Sequence, residues 1–270
     1  MPKTRHLPNI NRISVLAAAI LLAYTLAGFI NLPSRDFGLQ LPGLFLGFQL
    51  NAQVVIALLV SGLTASGADL MVREHPSFQE RFSIQHWLLP ALTSWALGLI
   101  LFQQPFSILW WIALTVGGAT LILVLIAEYI MVDPEDVRSI PAVIGLTAVS
   151  FALFLTLAIT IRASETRLFL LFPTITLACG LTSLRALHLR LQKRWVFTPT
   201  LVVAVVIGQL SAALNYLDVK PIAFGLILLG PAYALTSLIG GLMERKDWRQ
   251  TIIEPVFVLA IVWGSAALIP

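Results

Sequence analysis

Residues 106–131 read FSILWWIALTVGGATLILVLIAEYIM, and Glu128 is the only charged side chain in that run. At about 1.5 Å of rise per residue a helix of this length exceeds a hydrocarbon layer about 30 Å thick. The rest of the chain has the same character. It has 270 residues, 58% of them hydrophobic and 11% charged, and its mean hydropathy is +0.91. A water-soluble domain carries about 25% charged residues, and a fold with so few could not cover its surface against water. Lipid is the solvent this composition suits.

Nine stretches are long and apolar enough to span: 13–32, 51–71, 84–103, 106–131, 141–161, 167–187, 197–217, 221–243 and 252–269. The reading is all-α, a polytopic transmembrane helix bundle forming one membrane domain over 1–270. The first stretch follows Lys3, Arg5 and Arg12 as a signal peptide would. Further spans follow it, so it is read as an uncleaved first helix. The connections are short, as at Gln103-Gln104-Pro105 and Asp218-Val219-Lys220-Pro221. From Leu39 to Leu70 the chain is almost continuously apolar, too long for one span, and Pro42, Gly43 and Gly47 discourage a single helix. Phe37–Phe48 is therefore read as a segment at the outer interface or tucked between helices, with a re-entrant hairpin as the alternative.

Orientation follows from the cations. With nine spans and a cytoplasmic N-terminus, Arg35, Arg162, Arg167 and Lys220 fall outside, and the remaining thirteen of the seventeen Lys and Arg fall inside. The C-terminus is then outside. Trp87, Trp195 and Trp248 near inner helix ends, and Trp110 and Trp111 near an outer one, suit interfacial anchoring. The net charge of +4 is dispersed over helix ends, which makes it a topology signal and not a nucleic-acid face. The single Cys179 forms no internal disulfide and no C-x-x-C motif, and is read as packing.

An internal echo is present. Leu181-Thr182-Ser183-Leu184 recurs as Leu235-Thr236-Ser237-Leu238, each followed by a basic stretch and a tryptophan. Tandem duplication of a helix hairpin would give this pattern; so would the shared chemistry of helix ends.

Three groups of residues are candidates for function. Span centres lack charge, but Gln209 and Asn215 lie in span seven and Gly230-Pro231 interrupts span eight. Pro231 cannot donate to the Ile227 carbonyl, so a kink is expected. Gln209, Asn215 and Pro231 are thus either a transport path or polar helix packing. Small residues at four-residue spacing, Ala204, Gly208 and Ala212, favour packing. The second group is at the inner face: Asp69, His75, His86 and Glu128, whose carboxylates and imidazoles could converge for acid–base work. Their spacing is no tight ligand motif, and no metal is expected. The third is Arg185, Arg190, Lys193 and Arg194, a basic run suited to topology anchoring and to anionic lipid headgroups. No Walker loop, G-x-G-x-x-G, G-x-S-x-G or C-x-x-C-H occurs, so no cofactor is expected.

Six segments together resemble a family: GADLMVREHP (67–76), WLLPALT (87–93), AEYIMVDP (127–134), LRALHLRL (184–191), GPAYALTSL (230–238) and EPVFVLAIVWG (254–264). The chain resembles an uncharacterised family of multi-spanning bacterial membrane proteins, a domain of unknown function. The resemblance implies bacterial origin and nothing catalytic. The expected protein is a non-enzymatic scaffold, accessory subunit or lipid-contacting protein of the cytoplasmic (inner) membrane. Its expected contacts are membrane lipids and membrane-protein partners or its own copies, without nucleic acid. A transporter of a neutral or amphipathic solute is the alternative, and a membrane-embedded enzyme with an inner-face Asp/His/Glu site the second alternative.

Overall fold

A computed structural model describes residues 9–29, 35–41, 44–50, 52–76, 78, 84–133, 137–191, 195–245 and 247–269. Among these are nine α-helices: α1 (Ile10–Ala27), α2 (Ala52–Arg73), α3 (Ile84–Gln103), α4 (Ile108–Ile130), α5 (Ser139–Ala163), α6 (Leu168–Arg190), α7 (Phe197–Leu214), α8 (Pro221–Met243) and α9 (Trp248–Ala267). Eight are long and apolar enough to cross a membrane, and α9 carries a shorter apolar stretch, Thr251–Ala267. The expected helical bundle is therefore present, with α8 over the same residues as read from sequence.

Two departures have local causes. The first helix starts at Ile10 and not near residue 13, because Asn9 caps it: the Asn9 Oδ1 accepts from the Asn11 backbone N–H at 3.1 Å, satisfying a donor that a helix start leaves open. The segment around 37–48, read from sequence as interfacial or tucked between helices with a re-entrant hairpin as the alternative, takes strand conformation. Strands β1 (Arg35–Leu41) and β2 (Leu44–Leu50) pair antiparallel, with Arg35 opposite Leu50 and Leu41 opposite Leu44. The sequence Asp36-Phe37-Gly38-Leu39-Gln40-Leu41 alternates with the period of a strand, and Pro-Gly between the runs is a turn signal.

The chain divides into two compact units, Met1–Ala142 and Val143–Pro270. In the first, α2 packs on α3, α3 on α4, and α1 on both α2 and α4. Ile20, Tyr24, Leu97, Leu101, Trp110, Leu121 and Leu125 meet in its core. Helix α4 shows why the surface is lipid-facing. Its outer residues Leu109, Val116 and Leu123 are 62%, 60% and 65% exposed, while Glu128 and Tyr129 are buried. A helix that is apolar on its exposed side as well belongs in hydrocarbon. Trp111 keeps an exposed position, but Trp110 is buried and its indole N–H donates to the Leu101 carbonyl at 3.2 Å. It therefore ties α4 to the end of α3.

In the second unit α6 packs on α7 and α8, and α8 packs on α7 and α9. The small residues of α7 lie where close approach demands them: a Cβ at Gly208 would collide with the Thr176 Oγ1 of α6, and one at Gly180 would come within 3.4 Å of Ala204. Gly62, by contrast, has open space around its missing side chain.

Candidate functional site

The inner-face cluster read from sequence lies in the first unit, where the end of α2, the start of α3 and the end of α4 meet. The fold joins two of its four residues directly. Nδ1 of His86, in the first turn of α3, lies 2.9 Å from Oε2 of Glu128, in the last turn of α4. The His86 side chain is 4% exposed and the Glu128 side chain 0%. The Gln85 Nε2 lies 3.3 Å from the His86 Nε2. If Nδ1 carries the proton and donates to the carboxylate, Nε2 is the acceptor that the Gln85 amide needs. This is the arrangement of a histidine oriented by a carboxylate, as a general base requires, with its basic atom covered by a neighbouring amide.

The other two residues are placed differently. The buried His75 ring packs edge-on against Tyr129, with centroids 4.7 Å apart. Asp69 accepts from the Arg73 Nε at 2.7 Å, one turn along α2. Nearby, Arg12 of α1 pairs with Glu74. Among the described residues no group of three or more His, Cys, Asp or Glu is disposed to hold a metal ion.

Each of the three transport-path candidates has its own setting. Gln209 is exposed on α7, on the face that carries Val202, Val205 and Val206, all exposed. Asn215 caps the end of α7, and its Oδ1 accepts from Arg162 at 3.0 Å. Pro231 does withdraw a donor from the Ile227 carbonyl, but Trp263 of α9 supplies another: its indole N–H donates to that carbonyl at 3.2 Å. The sequence signals the opening, while the residue that closes it is thirty-six positions away and carries no local cue.

The basic run that begins in the last turns of α6 is partly internal. Arg185 is 1% exposed. Arg190 donates to both carboxylate oxygens of Glu244, at 2.8 and 3.2 Å, and to the Ser237 carbonyl at 3.0 Å. Its Cδ would lie 2.8 Å from a Cβ at Gly240, so that glycine makes room for the arginine. Lys193 and Arg194 lie outside the described residues. The echoed segments touch: the Thr236 Oγ1 donates to the Ser183 Oγ at 3.0 Å, joining one Leu-Thr-Ser-Leu to the other. Next to them, buried His188 stacks on Trp195, with centroids 4.2 Å apart, and the Tyr233 hydroxyl donates to Glu254 at 2.6 Å.

Sequence reasoning missed one further charged residue. Arg162, at the end of α5, reaches across to the α7–α8 turn. There it meets Asn215, the Leu217 carbonyl at 3.0 Å and the ring of Phe224, whose centroid is 5.4 Å away.

No curated protein and no solved structure matches the chain. Residues 32–269 match a family described as "Protein of unknown function (DUF5656)". With a family match over most of its length and eight helices able to cross a membrane, the chain is a multi-pass integral membrane protein that belongs to DUF5656, a family of unknown function.

Proposed function

We propose that this protein is a non-enzymatic scaffold or accessory subunit of the bacterial cytoplasmic membrane, whose α7 face around Gln209 meets another membrane helix. The observation that carries this reading is the Gln209 amide. It makes no hydrogen bond among the described residues and lies on an exposed apolar face with Val202, Val205 and Val206. It sits roughly 18 Å along a helix roughly 27 Å long. An amide facing hydrocarbon without a partner is costly. The same amide bonding across a helix–helix contact contributes about 0.6–2 kcal/mol. Because it both donates and accepts, it suits a second copy of α7 as well as a foreign helix.

The cation distribution supports a cytoplasmic N-terminus and an external C-terminus. Transport past Pro231 draws less support, since the carbonyl that the proline frees is taken by Trp263. The buried His86–Glu128 pair supports a second reading, a membrane-embedded enzyme. In that case His86 Nε2 would have to exchange Gln85 for a substrate proton.

The test is purification in a mild detergent, with mass spectrometry of the intact particle and of its bound lipids, metals and proteins. The wild type is expected as a multimer or with a partner subunit, and Gln209→Leu as a folded, partner-free chain. A wild type that is monomeric and partner-free, like the variant, refutes the reading.

A further inference from the structure

At the end of the second unit that carries the α5–α6 and α7–α8 turns lies a half-open cavity of about 520 Å³, within the range of small-molecule sites. Five charged side chains line it: Arg162, Arg167 and Lys220, and the carboxylates Glu165 and Asp218. Among the described residues none of the five makes an ion pair. Arg162 is the anchor. Its hydrogen bonds go to neutral acceptors, the Asn215 amide oxygen and backbone carbonyls of the α7–α8 turn. Its position is fixed, and its charge is left without a counter-ion. The first residues of α6 and α8, Leu168 and Pro221, also line the cavity, which adds the positive ends of two helix dipoles.

A purely anionic ligand would meet the two carboxylates as well as the three cations. A ligand carrying both signs meets each with its opposite. We infer that this cavity binds a compact zwitterion in which a phosphate is joined to a primary amine. The phosphate is held by Arg162 with Arg167 or Lys220, and the ammonium by Glu165 or Asp218. Charge-assisted hydrogen bonds of this kind are short and strong. Such a group reaches the protein either as the headgroup of a phosphoethanolamine lipid or as a soluble phosphoethanolamine. The inference goes beyond the subunit reading and does not depend on it.

The experiment uses the full chain in nanodiscs of equal parts phosphatidylethanolamine, phosphatidylglycerol and phosphatidylcholine, with native mass spectrometry of the lipid that stays bound. Phosphatidylcholine is the control, because its quaternary ammonium has no N–H to donate. The wild type should retain phosphatidylethanolamine in excess of the other two. Arg167→Gln with Lys220→Gln should weaken that retention about tenfold, an effect of about 1.4 kcal/mol. Glu165→Gln with Asp218→Asn should shift the preference toward phosphatidylglycerol. These variants leave Arg162 in place, so a folding failure at the clip does not enter. Soluble phosphoethanolamine is titrated as a competitor. If the lipid stays bound against it, the ligand is the headgroup; if it displaces the lipid, the site takes the soluble zwitterion. Bound lipid that mirrors the nanodisc composition, or a preference unchanged in both variants, overturns the inference.

Discussion

Replacing Trp263 with phenylalanine removes the indole N–H that donates to the Ile227 carbonyl at 3.2 Å. Pro231 has already taken away the helix's own donor at that point, and hydrocarbon offers no water in its place. The hydrogen bond itself is worth about 0.6 kcal/mol on the average for membrane helices and about 1.7 at most. The smaller ring also gives up packing, since Trp263 lies against Gly230, where a Cβ would come within 3.1 Å of the indole. The single variant should therefore lose about 1–3 kcal/mol. A second substitution separates the two contributions. Pro231→Ala restores a backbone N–H that can reach the Ile227 carbonyl, so the indole is no longer required there. The hydrogen-bond part of the Trp263→Phe cost should then disappear and the packing part remain. Unfolding in mixed micelles, followed by far-ultraviolet circular dichroism, measures all four corners of the cycle. A coupling of about 0.6–1.7 kcal/mol is expected. Losses that simply add, to within about 0.3–0.5 kcal/mol, would refute the capping argument.

Two further outcomes are expected. His86→Ala leaves the wholly buried Glu128 carboxylate without its imidazole, and should cost about 3–5 kcal/mol; the pair of substitutions His86→Phe and Glu128→Leu should recover part of that loss in thermal unfolding. Reporter fusions should place the loop after Arg190 in the cytoplasm and Trp110 on the opposite side; a common side for both would refute the proposed orientation.

The helices were legible because hydropathy over about twenty residues outweighs every local ambiguity. The same dominance hid the hairpin. Residues 35–50 are apolar enough to read as membrane-bound in any conformation, and Pro42 and Gly43 suit a broken helix as well as a turn, so only the flanking alternation marks strands. The site was legible only where partners sit at helix ends of matching depth. His86 and Glu128 could be grouped from sequence because both close on the same face, whereas Asp69, on the same level, is held by Arg73 one turn away. Sequence marks Arg162 only as one of four external cations, and nothing in its neighbourhood announces a partner fifty-three residues on, at Asn215.

The Arg162 clip bears on where this chain can be engineered. Residues 215–220 form a short polar turn between two helices, the kind of place usually chosen for an epitope tag or a fused reporter. Here the turn's Asn215 amide and the Leu217 and Val219 carbonyls are occupied by a side chain from α5. An insertion at that point would displace these acceptors and leave the guanidinium without the hydrogen bonds that hold it. Tolerance to insertion in this protein is therefore set by what the turn's backbone is holding, and solvent accessibility alone is a misleading guide to it.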